Sequence, residues 1–242
     1  MEAWLKKLGA DFVLNFVEGN RWRLLLNGLQ QTLIITLAAG LMGLVIGIII
    51  AMVRSTYDKT ADTARPTIGR KLFGAADALC RLYLTVIRGT PVVVQLLIIY
   101  FVILASVRSG TVVASLAFGL NSGAYVAEIV RGGIMSIDNG QFEAGRSLGF
   151  NYLQTMRFIV IPQTIKNVLP SLANEMIALL KETSVAGYVA VQDLTKAGDI
   201  IRSRTYSPFL PLIAVALIYL ILVVFFTKLV GKLERRLRSS DH

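Results

Sequence analysis

Cysteine and histidine, which support disulfides, many metal sites and histidine-activated nucleophiles, are almost absent from this sequence. Its 242 residues include one cysteine, Cys80, and one histidine, His242. A single cysteine excludes an intrachain disulfide, and a single histidine gives no basis for a clustered metal site or a Ser-His-Asp triad. We therefore expect no catalytic residue, no bound metal and no cofactor on this chain.

Motifs for nucleotides and nucleic acids are also missing. No phosphate-binding loop of the form GxxxxGK[ST] occurs. The net charge of +10 is accompanied by no zinc-finger, helix-turn-helix or RNA-binding pattern. Because the basic residues flank apolar runs, anionic lipid is a better partner for them than nucleic acid. Residues 1–23 lack the compact apolar core of a cleavable signal peptide.

Long apolar runs are what the sequence has in abundance. Hydrophobic residues make up 55% of the chain and charged residues 17%. Crossing a bilayer takes roughly 20 apolar residues as helix, and segments 24–53, 75–106, 111–134, 164–186 and 208–230 reach that length. We predict an all-α integral membrane protein with five transmembrane helices. The middle three segments contain Pro, Gly, Asn and Glu, which makes them candidates for function.

Basic residues predict the orientation. If the C-terminus is cytoplasmic, the inner segments hold about twice as many Lys and Arg as the outer ones, with Arg54, Arg65 and Arg146 among them. This bias predicts an N-out, C-in topology with a basic cytoplasmic tail at 231–242. Residues 1–23 carry Trp4, Phe12, Phe16 and Trp22 and are predicted to form an interfacial helix, the alternative being a disordered tail.

A soluble-looking stretch, residues 138–162, interrupts the apolar runs. Asp138 is a suitable N-cap, and Gln141 completes a capping-box pattern, so a helix should begin near Asn139. Gly149 suits the left-handed position that ends a helix, and Pro162 is expected to stop a second short run. Two short helices in an L shape are predicted, the alternative being an ordinary amphipathic loop.

This stretch resembles the cytoplasmic loop of permease subunits of ATP-binding-cassette importers. In that family Glu-Ala-Ala is followed by Gly and by a closing apolar-Pro pair. The corresponding residues here are Glu143, Ala144, Gly149, Ile161 and Pro162, while Gly145 stands where the family usually has Ala. The resemblance implies an ATPase-coupling segment that contains Glu143, Ala144, Gly145, Ser147, Leu148, Gly149 and Pro162.

The resemblance extends over about residues 24–230 through the runs RGTPVVVQL, NSGAYVAEIVRGGI and KETS. These runs are similar to permeases for polar amino acids, the histidine, arginine and glutamine branch of the type I importers. Membership implies a bacterial cytoplasmic membrane, a second permease subunit, and two ATPase subunits that bind ATP and Mg²⁺. It also implies an extracytoplasmic protein that delivers the amino acid. The missing phosphate loop agrees with an ATPase on a separate chain.

Polar residues at helical spacing predict the substrate-binding face. Asn121, Tyr125 and Glu128 share one face of the third span. Ser171, Asn174 and Glu175 do the same in the fourth. Glu175 is near the middle of its span, where a carboxylate is costly. It could bind the ammonium or basic side chain of a substrate, pair with a residue such as Arg131, or stay protonated and form a hydrogen bond.

The run Arg88, Gly89, Thr90, Pro91 predicts a helix break or gate in the second span. Arg88 could instead reach lipid phosphate, and Glu128 could simply pair with Arg131 one turn away. Gly43 and Gly47 allow close helix packing, within the chain or at a dimer seam. Residues 191–204 are predicted to form either a polar helix outside the membrane, where the delivery protein would dock, or a plain solvated loop. The alternative function is an ion-coupled transporter or channel that uses Glu128 or Glu175 as a relay; a membrane scaffold is a further alternative.

Overall fold

The computed structural model describes residues 1–60 and 67–239. Arg65, the side chain of Trp4 and the end of the basic tail with His242 lie outside the described part. The described residues form helices and no strand, which confirms the all-α fold class.

Ten α-helices follow one another along the described chain. They are α1 (Glu2–Phe12), α2 (Trp22–Thr60), α3 (Ile68–Gly89), α4 (Val92–Ile98), α5 (Gly110–Met135), α6 (Asn139–Ser147), α7 (Tyr152–Thr155), α8 (Ile161–Glu182), α9 (Leu194–Thr205) and α10 (Phe209–Ser239). Wider π turns occur at Val13–Val17, Ile99–Ile103 and Met156–Val160, and tighter 3₁₀ turns at Glu18–Asn20 and Thr183–Val189.

Length and hydropathy select α2, α5 and α10 as helices able to cross a membrane, among the residues described. A fourth candidate is the pair Ile68–Gly89 and Val92–Ile103, which bends by 109° at the intervening break. The predicted span 164–186 corresponds to α8, a 22-residue helix with Pro170 inside it. The five-span count and the N-out orientation therefore stay predictions.

The chain divides into two compact units, each built from separated stretches. The first unit comprises Met1–Ala39, Val92–Phe118 and Ile177–Leu229. In its core, Phe16 and Leu25 pack with Leu194, Ile201 and Val215. The buried Asn15 adds polar bonds, since its amide donates to Ser207 Oγ at 3.1 Å and accepts from Thr205 Oγ1 at 2.7 Å. The N-terminal segment is thereby held against α9 and the start of α10.

The second unit comprises Gly40–Pro91, Gly119–Met176 and Val230–His242. Gly43 and Gly47 of α2 face α5, where an added Cβ would contact Ser122 and Val126 respectively. The close packing predicted from these glycines is thus found within the chain. A core of Ala51, Val126, Val130, Ile134, Ile137, Met156 and Val160 joins α2 and α5 to the start of the 138–162 stretch and to its π turn.

Within residues 138–162 the first helix begins at Asn139 and Gly149 takes the left-handed conformation with φ of 79°, both as predicted. The capping box with Gln141 is wrong. Asp138 caps α6 without help from Gln141, and its side chain accepts from the Gly140 N–H at 2.6 Å. The Gln141 side chain instead accepts from Gln163 Nε2. The stretch does contain a capping box, between Asn151 and Gln154 at the start of α7.

The expected stop at Pro162 is also wrong. Helical structure runs from Tyr152 to Glu182 without interruption, and Pro162 is the second residue of α8. A proline cannot donate to the carbonyl four residues earlier, and the wide turn Met156–Val160 directly before it accommodates the missing bond. Of the two short helices predicted in an L shape, only α6 is a separate short helix. The second is wrong, because α7 continues through the π turn into α8.

Candidate functional site

The predicted coupling segment is exposed on one side and packed against the protein core on the other. Gly145 is buried against Thr155, and Met156 lies in the core beneath. Glu143, Ala144, Ser147, Leu148 and Gly149 are exposed, as is Pro162. The apolar side chains of Leu148 (70%), Leu153 (74%) and Phe158 (60%) are also open to solvent. Exposed apolar groups beside charged ones are typical of a protein-binding surface.

The C-terminal end of α2, for which a cytoplasmic location is predicted, is tied to this segment. Lys59 Nζ donates to Asn139 Oδ1 at 2.7 Å and lies 4.7 Å from the centre of the Phe142 ring. The Tyr152 hydroxyl donates to Thr56 Oγ1 at 3.5 Å. A cavity of about 420 Å³ lies between these groups, with Glu143 and Arg146 in its lining. A displacement of α6 would therefore also move the C-terminal end of α2.

A helix-ending pattern fixes the turn after α6. The Phe150 N–H donates to the Gly145 carbonyl at 3.0 Å, and the Gly149 N–H donates to the Arg146 carbonyl at 2.9 Å. This arrangement needs a residue with positive φ at Gly149, where glycine has no steric cost. The turn therefore depends on Gly149 for its shape.

The predicted substrate face centres on Glu175 of α8. Glu175 Oε1 accepts a hydrogen bond from Ser122 Oγ of α5 at 3.0 Å. Ser122 is buried, as is Asn121 beside it. Ser171 and Asn174 are exposed on α8, one helical turn or less from Glu175. Glu175 thus forms a hydrogen bond within the permease, and the three roles considered for it stay predictions.

The remaining members of the predicted face lie in an arginine-rich cluster. Glu128 pairs with Arg54 at 3.2 Å, Arg131 at 3.6 Å and Arg88 at 3.8 Å. The guanidinium carbon of Arg88 also lies 5.7 Å from the centre of the Tyr125 ring. The structure thus brings Arg88, Tyr125 and Glu128 together. It also contains the Glu128–Arg131 pair, which was predicted from their spacing as the alternative to a role of Glu128 in substrate binding.

Sequence reasoning missed four residues of this cluster, namely Arg54, Asp58, Asp77 and Arg81. Asp77 is buried and accepts from Arg81 Nε at 2.7 Å, while Arg54 Nε lies 3.6 Å away. Asp58 pairs with Arg131 at 3.3 Å and with Arg81 at 3.4 Å. The spacing of Asp77 and Arg81 four apart on one helix was a usable signal.

The carboxylates of this cluster are all bound to arginines. Across residues 1–60 and 67–239, no group of three or more His, Cys, Asp or Glu side chains is arranged to hold a metal ion.

The predicted break falls between α3 and α4. α3 ends at Gly89, Thr90 is extended with φ of −124° and ψ of 148°, and α4 begins at Val92 after Pro91. Thr90 Oγ1 donates back to the Val86 carbonyl at 2.8 Å. All four residues from Arg88 to Pro91 are exposed. The break places an arginine at the end of a helix, beside the Glu128 carboxylate.

These features, a helical membrane chain with a packed 138–162 stretch, agree with the resemblance to importer permeases. Residues 66–239 match the family model described as "Binding-protein-dependent transport system inner membrane component". The chain belongs to that family, and it is a multi-pass protein of the inner membrane.

The chain is similar to individual amino acid permeases of this family. The chain is 36% identical over 219 residues to a putative glutamine transport system permease protein, GlnP, of Rickettsia bellii, covering 89% of this chain and 94% of that one. It is 36% identical over 220 residues to the arginine transport system permease protein ArtQ of Bacillus subtilis, covering 90% and 94%.

Solved structures agree in fold. A crystal structure of an amino acid ABC transporter with histidines matches with a TM-score of 0.76 and 39% identity, covering 88% of this chain and 94% of that one. An inward-facing MetNI methionine ABC transporter matches with a TM-score of 0.73 at 21% identity, covering 91% and 98%, and supports the fold alone.

Proposed function

We propose that this permease forms the translocation pathway for polar, including basic, amino acids. The single observation that carries the proposal is the Glu175 carboxyl group, which lies half-buried on α8 and hydrogen-bonded to Ser122. A carboxylate in a pathway favours a substrate that presents an ammonium or guanidinium group and disfavours an acidic one. The glutamine and arginine permeases among the relatives support this class of substrate.

The assembly we propose is that of an ATP-driven importer. Two permease subunits, identical or different, pair with two ATPase subunits that bind ATP and Mg²⁺, and an extracytoplasmic protein delivers the amino acid. The proposed topology has five spans, at 24–53, 75–106, 111–134, 164–186 and 208–230, with the N-terminus outside and the C-terminus inside. Residues 138–162 and the basic tail then face the cytoplasm, and residues 191–204, which include most of α9, face outward.

In the mechanism we propose, the ATPases close on ATP and displace α6 of each permease. The exposed residues Glu143, Ala144, Ser147, Leu148 and Gly149 receive the displacement. The bonds of Lys59 and Tyr152 carry it into α2. Opening of the pathway on alternate sides follows from movement of the packed helices. This chain makes and breaks no covalent bond in that cycle.

The test is uptake into proteoliposomes that contain the permease, its ATPase and its delivery protein. Wild type should take up arginine and glutamine on addition of ATP and exclude glutamate. Glu175→Gln should reduce arginine uptake about tenfold, since a hydrogen bond to a charged group contributes about 1.5–3 kcal/mol. Glu182→Gln, at the end of the same helix, is the matched control and should keep both uptake and selectivity.

Two outcomes contradict different parts of the proposal. Unchanged uptake and selectivity in Glu175→Gln would remove Glu175 from the site. Uptake that needs an ion gradient and persists without the ATPase would favour the ion-coupled alternative, in which Glu128 or Glu175 relays the ion.

A further inference from the structure

A cavity of about 350 Å³ lies within the first unit, and its lining contains none of the residues assigned so far to substrate binding, ATPase coupling or the helix break. It is bounded by the 3₁₀ segment Thr183–Val189, by the first turn of α9 and by the start of α10. Its polar lining includes the hydroxyl groups of Ser184 and Thr195 and the charged groups of Asp193, Lys196 and Asp199. Pockets that hold small ligands begin near this size.

Asp193 is the unusual member of this lining. Its side chain is fully buried, and its Oδ1 caps α9 by accepting from the Lys196 N–H at 2.8 Å. Its other oxygen, Oδ2, is buried with no hydrogen-bond partner among the described residues. A buried carboxylate oxygen without a donor is costly, and native proteins rarely leave one. A donor that entered the cavity would satisfy it.

Lys196 supplies the opposite charge. Its Nζ lies 3.2 Å from Asp199 Oδ2, with 43% of the side chain exposed. Asp199 also accepts two bonds from Arg202, at 2.5 and 3.0 Å. Because Arg202 already compensates Asp199, Lys196 can turn to another anion without leaving that carboxylate unpaired. The residues that line the cavity therefore include one acceptor for a cation and one donor for an anion.

We propose that this cavity binds an α-amino acid as a zwitterion, with the ammonium on Asp193 Oδ2 and the carboxylate on Lys196 Nζ. A simple cation would use only the first group and a simple anion only the second. This inference rests on the proposed function, which puts the loop after α8 outside the membrane and makes amino acids the substrate. The cavity would then receive the amino acid as it leaves the delivery protein, before it reaches Glu175.

The experiment measures equilibrium binding of L-glutamine to the assembled permease–ATPase complex without delivery protein or ATP. All variants carry Glu175→Gln, so that the Glu175 site does not contribute. In this background, Asp193→Asn should weaken binding roughly 10- to 100-fold, since it replaces an ionic acceptor by a neutral one. Asparagine is as good an N-cap as aspartate, so α9 should remain folded.

Two further variants make the assignment specific. Lys196→Gln should weaken L-glutamine binding by a similar factor but leave binding of methylammonium, which has no carboxylate, unchanged. Asp138→Asn makes the same chemical change at the N-cap of α6, far along the chain, and should leave L-glutamine binding unchanged.

Equal affinity in the parent and in Asp193→Asn would overturn the proposal. If Asp193→Asn is not recovered folded, Gly187→Ala takes its place, because the added Cβ would lie 3.2 Å from Asp193 Oδ1 and 3.0 Å from Lys196 Cβ. Retained binding in that variant would equally overturn the site. Binding that needs Asp193 in a complex that takes up no amino acid would contradict the proposed function and leave this site standing.

Discussion

Ser122 of α5 forms a hydrogen bond with the carboxyl group of Glu175 on α8. It donates to Glu175, and Gly43 of α2 leaves room for it, since a Cβ there would lie 3.0 Å from Ser122 Cβ. We predict that Ser122→Ala, which removes the donor, changes the concentration dependence of arginine uptake by several-fold, because a bond to a charged group contributes about 1.5–3 kcal/mol. Initial uptake rates against arginine concentration measure this.

Ser115→Ala is the control for that substitution. Ser115 lies on the same helix and donates to the Thr111 carbonyl of its own helix at 2.8 Å. It should behave as wild type. Parallel losses in both variants would mean that α5 tolerates no loss of a hydroxyl group, and the role given to Ser122 would be withdrawn.

Asp193 predicts a pH dependence of stability. Burial raises its pKa from 3.8 to about 6, against the opposing effects of the Lys196 N–H bond, of other backbone N–H groups near the carboxyl group and of the Lys196 charge. Tyr219 of α10 also faces it. A carboxyl group whose pKa is higher in the folded state binds more protons when folded, so its stabilising contribution is fully present below about pH 4 and is lost as the pH rises towards about 6.

The measurement is the apparent melting temperature of the detergent-solubilised complex between pH 4.5 and 7.5. Subtracting the Asp193→Asn curve from the wild-type curve isolates this group from other titrations. The difference should favour the variant increasingly up to about pH 6 and then level off. A difference that does not change with pH would show that Asp193 is not the group responsible.

At the scale of elements, α6 and α7 are matched to each other through Gly145 and Thr155. A Cβ at Gly145 would lie 2.6 Å from Thr155 Oγ1 and 2.8 Å from Thr155 Cγ2. Alanine would gain about 1 kcal/mol of helix propensity, but the clash should exceed that gain. We predict that Gly145→Ala lowers the melting temperature by several degrees and reduces uptake.

The double variant Gly145→Ala/Thr155→Ala should restore both properties, because it removes the two clashing atoms. Thr155→Ala alone should be neutral or slightly stabilising, since Thr155 Oγ1 is buried without a hydrogen-bond partner in the described part of the chain. If the double variant is no better than Gly145→Ala alone, contact with Thr155 does not explain the glycine at position 145.

Local signals in the sequence were sufficient for some elements and not for others. The start of α6 follows from Asp138 and its end from Gly149, since a cap and a left-handed glycine act within one turn. The stop at Pro162 failed because a π turn can accommodate a proline without ending the helix. The Gln141 capping box failed because a residue 22 positions away competes for the same amide.

Contacts between helices were harder to predict than the helices themselves. Asn121, Tyr125 and Glu128 share a face by spacing, but the partners of Glu128 come from α2 and α3 as well as from α5. The pairing of Arg54 with Asp77 depends on how two helices pack, which no pattern along the chain specifies. Ser122 was overlooked for the same reason, although it is adjacent to Asn121.

At the scale of the whole molecule, the turn at Gly149 decides whether α6 can transmit a displacement. Valine at φ of 79° is strained, whereas asparagine tolerates this conformation. We predict that Gly149→Val keeps ATP hydrolysis in the assembled complex but lowers the amino acid transported per ATP by at least several-fold. Gly149→Asn should couple normally. The ratio of uptake to phosphate release in proteoliposomes measures both.

Glu143→Lys tests the same idea from the exposed surface. It reverses a charge without changing the turn and should also uncouple ATP hydrolysis from transport while the protein stays folded. Full transport per ATP in both Gly149→Val and Glu143→Lys would mean that residues 138–162 do not receive the displacement.

The interleaving of the two units sets the order in which the chain can fold during synthesis. Residues 1–39 belong to a unit whose last stretch is 177–229. Phe16 and Leu25 pack with Leu194, Ile201 and Val215, so this core cannot be completed until Val215 has been made. Contacts between such distant parts of a sequence also form slowly. Residues 1–39 therefore leave the ribosome well before the residues that bury them.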